Sequence, residues 1–208
     1  MLSCANAAGA KARAVRVASV NAYSELVFDG RTCGSFLQFE GAKEVGVEFN
    51  SLSKTYGLAG ARIGFCVGNK DIVEKLKTLK SNLDYGMFLP IQQAAIAAIT
   101  GDQSCVNDTR SAYERRRNVL CDSFNRIGWK MMPPEATMFV WAKIPDSFPD
   151  SMTFALELME KTGVLVTPGS AFGTLGEGYA RLALVQEEEM LHRAAELIEK
   201  SGILRKSI

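Results

Sequence analysis

The sequence predicts an α/β fold, and three observations carry that expectation. Short strand-like runs alternate with longer stretches of helical spacing, the order found where helices pack on a sheet. Turn and cap residues stand at the junctions: Asp29-Gly30, Gly101, Gly128, Pro133-Pro134 and Gly163. Hydrophobic residues make up 47% of the 208 positions, ample material for a core.

Taken in order, Tyr23 to Phe28 is a short apolar run closed by the Asp29-Gly30 turn. Glu44 to Phe49 and Ile63 to Val67 read as two further strands. Asn69-Lys70-Asp71 opens a helix in which Ile72, Val73, Leu76 and Leu79 fall at helical spacing. Pro90 starts a second, alanine-rich helix that Gly101 breaks. A long helix from about Ser104 to Ile127 follows, ended by Gly128, and its Arg115-Arg116-Arg117 stretch reads as a solvated face. Thr137 to Ile144 alternates like a strand, and Met152 to Lys161 is a helix capped by Gly163. Val164 to Val166 and Ala180 to Val185 read as strands, and Glu187 to Lys200 as a closing helix. Trp129 and Trp141 are expected in the core, and His192, the only histidine, toward solvent.

Composition excludes several function classes. Net charge is +1 from 24 basic and 23 acidic residues, and the bases are dispersed, so no nucleic-acid partner is implied. The five cysteines (Cys4, Cys33, Cys66, Cys105, Cys121) are odd in number and form no Cys-x-x-Cys. They read as reduced thiols in a cytoplasmic setting, with no metal framework. No apolar run approaches the ~18 residues of a membrane span. Residues 1–20 are basic and alanine-rich, with no acid before Glu25. Such leaders occur as organelle transit peptides; an unmatched, disordered leader is the reading preferred here.

Lys54 carries the chemistry. It stands in Asn50-Ser51-Leu52-Ser53-Lys54-Thr55-Tyr56-Gly57-Leu58-Ala59-Gly60-Ala61-Arg62-Ile63-Gly64, between two strand-like runs. An amine that burial keeps neutral attacks carbonyls. Ser51, Ser53 and Arg62 beside it suit a phosphate, hydroxyl donors with a planar cation able to bind two oxygens. An aldehyde-capturing amine beside a phosphate clamp describes a pyridoxal phosphate site. Gly57, Gly60 and Gly64 would relieve crowding around the loop. Arg181 interrupts an apolar strand, where an unpaired cation costs several kcal/mol, so it requires an anion.

The Ser-x-Ser-Lys, glycine-rich, Arg-x-Gly pattern resembles the cofactor-lysine motif of class I/II aminotransferases. Four further blocks support the resemblance: Ala22 to Gly30, Asp84 to Gln92, Ala136 to Pro145 and Val166 to Gly173. It runs from about Asn21 to Ile203 and is nearest the alanine and LL-diaminopimelate aminotransferase branch. The resemblance implies the C-terminal part of an aspartate aminotransferase-like fold. Residues 21–105 would be a remnant of the large cofactor domain, and 106–208 the linking helix and a small α/β domain. It also implies roughly as much chain again ahead of this sequence in family members. The implied cofactor is pyridoxal 5′-phosphate, held covalently by Lys54, with Ser51, Arg62 and, more weakly, Ser53 on its phosphate and the Tyr23 hydroxyl on its ring oxygen. Arg181 matches the arginine that grips the substrate α-carboxylate. The implied reaction moves an amino group between an L-amino acid, alanine preferred, and a 2-oxo acid such as 2-oxoglutarate. LL-diaminopimelate is the alternative donor, and the full-length form would be a homodimer. Asn82 and Tyr85 would lie near the partner's site.

This chain departs from the pattern at one position it contains. Where the resembled enzymes place an aspartate against the pyridine nitrogen, three residues before the tyrosine, stands Val20. That loss, with the missing upstream half, favours a weakly active or non-catalytic polypeptide as the reading of another class. A serine acyl-hydrolase reading, from Ser51-x-x-Lys54 and Lys161-Thr162-Gly163, lacks an intervening Ser-Asp-Asn.

Overall fold

The computed structural model describes residues 16–205. The chain divides into two compact units, Met1–Arg110 and Ser111–Ile208.

In the first unit, β1 (Val17–Val20), β2 (Gly46–Ser51) and β3 (Gly64–Gly68) form a sheet in that order. β1 runs parallel to β2, Val17 opposite Gly46 and Val20 opposite Phe49. β3 returns antiparallel to β2, Ser51 opposite Gly64. Between β1 and β2, the one-turn helix α1 (Ala42–Val45) packs with Phe36 into a small cluster that Val17 also touches. After β2 comes a second single turn, α2 (Leu52–Thr55). Helix α3 (Lys70–Leu83) starts where Asn69 accepts a hydrogen bond on Oδ1 from the Ile72 amide at 3.1 Å, satisfying an N–H that the helix cannot. Helix α4 (Leu89–Thr100) carries Pro90 in its first turn, where the missing N–H costs nothing.

Helix α5 (Ser104–Arg126) spans the division between the units. Within the second unit, β4 (Phe139–Lys143), β5 (Thr167–Pro168) and β6 (Tyr179–Ala183) pair antiparallel in the order β4-β6-β5. Two helices complete it, α6 (Ser151–Thr162) and α7 (Glu188–Ser201). Asp150 caps α6 through its side chain, and Gly163 and Gly202 end the two helices in the left-handed conformation, which glycine adopts without a Cβ penalty. Val140, Ala142, Ala180 and Leu182 point from the sheet into one core with Phe124, Trp129, Phe154, Leu158 and Ile198.

Several expectations need correction. The leader does not extend through residue 20, because Val17–Val20 is strand β1: pairing with β2 overrides the basic, alanine-rich composition. Residues 1–15, with Cys4, Lys11 and Arg13, lie outside the described residues. Within the run from Tyr23 to Phe28, residues 22–25 form a turn, closed by the Leu26 amide on the Tyr23 carbonyl at 3.0 Å, and only Val27 makes a bridge, though Leu26 and Phe28 are buried as an apolar run requires. Val164 to Val166 is not a strand. The Val164 amide donates to Thr162 Oγ1 at 3.1 Å, and ladder pairing begins only at Thr167. Arg117 is buried, not solvated, and donates to the Pro134 carbonyl at 3.1 Å, while Arg115 and Arg116 pair with Glu188 and Glu187. Trp129 is in the core, but Trp141 is 42% exposed and stacks on Tyr179.

Candidate functional site

Two parallel strands end at the same edge of their sheet, and in open α/β sheets ligands bind outside the carboxyl ends of the strands. β1 leads into the turn holding Tyr23, and β2 leads into α2 holding Lys54. Since β3 begins opposite Ser51, Arg62 emerges at this edge too. The sheet therefore gathers Tyr23, Ser51, Ser53, Lys54 and Arg62 at one end of the first unit. Arg181 belongs to the second unit, on β6.

Local chemistry shapes the lysine turn. Ser51 is extended and its Oγ accepts from the Ser53 amide at 3.2 Å, so it caps α2. Leu52 and Thr55 are buried and anchor the turn, leaving Ser53 and Lys54 half-buried on its other side. The Leu52 amide donates to the Ile63 carbonyl at 3.2 Å, closing the loop back on the start of β3. That closure is tight: a Cβ on Gly64 would stand 2.4 Å from the Asn50 carbonyl oxygen. Gly57 has φ +66, which favours glycine; Gly60 has open space around it and no such demand.

Arg62 is exposed and left-handed at φ 52 and ψ 47, a conformation that costs a non-glycine residue about 1 kcal/mol or more and clusters at ligand sites. One guanidinium nitrogen donates to the Ala59 carbonyl at 3.0 Å. Among the described residues it makes no other hydrogen bond or ion pair, leaving most of its donor fork for a ligand. Tyr23 is half-buried. Val20 ends β1 with 76% of its surface exposed and offers no polar group.

One residue at this edge escaped the sequence reading. Glu48, in the middle of β2, is buried. Its carboxylate accepts from the Phe36 amide at 2.8 Å, Ser35 Oγ at 3.0 Å, Asn50 Nδ2 at 3.1 Å and Asn21 Nδ2 at 3.3 Å. Burial alone would raise its pKa, but the hydrogen bonds from Asn50, Phe36, Asn21 and Ser35 together hold it below the usual carboxylate value. Glu48 thereby ties together the backbone that follows β1, the end of β2 and the loop at residue 35. The available signal was a carboxylate inside the apolar run Val45 to Phe49, which must find partners to be buried.

In the second unit, Arg181 is half-buried against aromatic rings and faces Trp141 across the ladder. His192 is exposed as expected, but its Nδ1 lies 2.8 Å from buried Ser123 Oγ, tying α7 to α5. Ser51 caps a single turn, and Lys161-Thr162-Gly163 closes helix α6, so neither acyl-hydrolase motif has the setting that chemistry uses. Among the described residues, no group of three or more His, Cys, Asp or Glu could hold a metal ion, and no helix is long and apolar enough to cross a membrane.

Comparison with known proteins gives the following. The family pattern for aminotransferase class I and II matches residues 7–198, so it reaches into the expected leader. The LL-diaminopimelate aminotransferase of Moorella thermoacetica is 45% identical over 179 residues, 86% of this chain and 46% of that protein. The glutamate-pyruvate aminotransferase AlaC of Escherichia coli is 46% identical over 175 residues, 83% of this chain and 42% of that protein. Among solved structures, substrate-bound BacF from Bacillus subtilis superposes with a TM-score of 0.90 at 37% identity, covering 93% of this chain and 49% of that one. Aspartate aminotransferase from Thermus thermophilus with maleate gives a TM-score of 0.86 at 26% identity, covering 95% and 51%. The chain thus spans about half the length of the curated relatives it matches.

Proposed function

The chain belongs to the class I and II aminotransferase family, and from that membership we propose that it carries the lysine-bearing half of a transaminase site. The observation that carries the proposal is the convergence of Lys54, Ser51, Ser53, Arg62 and Tyr23 at the carboxyl edge of β1 and β2.

The family's cofactor, pyridoxal 5′-phosphate, supplies an aldehyde that condenses with amines and a ring that withdraws electrons from the substrate α-carbon. The residues present fit its reactive end. Lys54 Nζ is a primary amine on an anchored turn, and the open donor fork of Arg62 with the hydroxyls of Ser51 and Ser53 suits a dianionic phosphate. The Tyr23 hydroxyl would donate to the ring oxygen. The residues do not fit the ring nitrogen, since exposed Val20 has no acid to offer it. Once substrate occupies the site, Lys54 Nζ is free to take the proton from the substrate α-carbon. Arg181, in the second unit, is given the substrate carboxylate by the resemblance, and its guanidinium suits that anion.

The reaction we assign is transfer of an amino group from an L-amino acid to a 2-oxo acid such as 2-oxoglutarate. Alanine is one donor; the similarity to LL-diaminopimelate aminotransferases favours LL-diaminopimelate as the other. Val20 favours a second reading, a chain that holds cofactor without turnover.

Joining the chain to the N-terminal half of such a relative, with Val20→Asp, should give a dimer that forms glutamate from 2-oxoglutarate with one of the two donors. A joined protein that binds cofactor but forms no glutamate with any amino acid contradicts the reaction.

A further inference from the structure

Arg181 is held without an acid. Its guanidinium carbon lies 4.1 Å from the centre of the Phe139 ring and 4.4 Å from that of Phe172. Among the described residues it makes no hydrogen bond and no ion pair. The arrangement follows from register. Trp141 pairs with Arg181 and Phe139 with Ala183, so Phe139, Trp141 and Arg181 share the sheet face opposite the core residues Val140, Ala142, Ala180 and Leu182. Phe172 arrives from the turn after β5, Gly169–Phe172. Trp141 props it, edge-on at 5.6 Å and 70°, and Trp141 itself stacks on Tyr179 at 5.6 Å and 19°.

An aromatic face attracts a cation but accepts no hydrogen bond in the guanidinium plane. Two rings within cation–π reach therefore hold the guanidinium while taking none of the hydrogen bonds that its N–H edge can give. A free arginine side chain surrenders rotamer entropy on gripping a ligand; one already held surrenders less. We propose that Phe139 and Phe172 are positioning residues, which orient the guanidinium of Arg181 so that its N–H edge meets a ligand carboxylate. The inference rests on the carboxylate role given to Arg181 above and adds to it a recognition geometry. Lysine cannot replace the arginine here, because a tetrahedral ammonium has no plane for the rings to hold.

The test uses the intact chain and acetate as the probe, with nuclear magnetic resonance of the arginine Nε–Hε groups. The Arg181 signal is assigned by its loss in Arg181→Lys, and acetate should shift it saturably. Phe172→Leu and Phe139→Leu should each weaken acetate binding by about 2- to 5-fold, while Phe172→Tyr, which keeps the ring, should bind as the unsubstituted chain does. No response of Arg181 in the unsubstituted chain overturns its carboxylate role. A response that Phe172→Leu leaves unchanged overturns the positioning role alone. Phe172 is 49% exposed, so its substitutions spare the fold; if Phe139→Leu fails to fold, the Phe172 pair decides.

Discussion

The two units spend the same kind of sequence differently. In the second, apolar positions from the strands and helices close into one core in which Phe154, Leu158, Val140, Leu184 and Ile198 have essentially no exposed surface. In the first, helix α3 buries nothing and α4 buries only Ala95. Leu79, Leu83, Phe88, Leu89 and Ile96 each expose more than half their surface, and Val20 on edge strand β1 exposes 76%. Helical spacing is as clear in α3 of the first unit as in α7 of the second. Helical spacing specifies a face; it does not supply what covers it.

The comparison breaks most directly on core truncation. Phe154→Ala in the second unit should cost about 3–5 kcal/mol in urea unfolding. Ile96→Ala, at a position on α4 that is 53% exposed, should stay within about 0.5 kcal/mol. Similar costs at the two sites would show that the first unit's helices are covered after all.

The buried carboxylate is where the first unit behaves like the second. Glu48→Ala leaves four donors without their acceptor and should cost about 1–3 kcal/mol. Because the folded-state pKa of Glu48 is lowered, its contribution is complete above the ordinary value of 4.5 and disappears as pH falls through the lowered one. Unfolding followed against pH should therefore show the unsubstituted chain losing stability relative to Glu48→Gln only on the acid side of 4.5. A difference that persists unchanged into acid removes the carboxylate from the account.

Helix caps should distinguish the units little, since each cap makes only a few hydrogen bonds. Asn69→Ala loses the acceptor of the Ile72 amide and a donor to the Glu44 and Lys43 carbonyls, Asp150→Ala the acceptor of the Thr153 amide and hydroxyl, and each should cost about 1–2 kcal/mol. A much larger loss at Asp150 would mean that the surrounding core, rather than the cap, is being measured.

Thiol reactivity gives the smallest and quickest contrast. Cys33 and Cys105 are exposed in the first unit, while Cys121 lies in the core of the second, where burial pushes its thiol up to about 11. Iodoacetamide at neutral pH should label the first two in the folded chain and Cys121 only after unfolding. Early labelling of Cys121 would show that the second core opens.

What could be read from sequence was local chemistry. Asn69 and Gly163 fixed helix ends, and the spacing of Ile72, Val73 and Leu76 marked α3 as a helix. The lysine turn was legible because Ser51, Lys54 and Arg62 lie within one short segment. The features missed depend on distant pairing. β1 has strand character only because β2 lies beside it, and β5 begins at Thr167 because Arg181 stands opposite. The partners of Glu48 come from four separate positions, and the rings around Arg181 from two. Arg181 could be singled out as an arginine needing an anion; that aromatic faces hold it could not, since Phe139 reaches it only through the β4–β6 pairing and Phe172 only through the turn after β5.

The central claim is that Lys54 captures the cofactor aldehyde. It is tested most directly by incubating the chain with pyridoxal 5′-phosphate, reducing with borohydride and locating the adduct by peptide mass spectrometry. A phosphopyridoxyl group on Lys54, absent from Lys54→Ala, is the predicted result. An adduct spread over the surface lysines, or none at all, contradicts it.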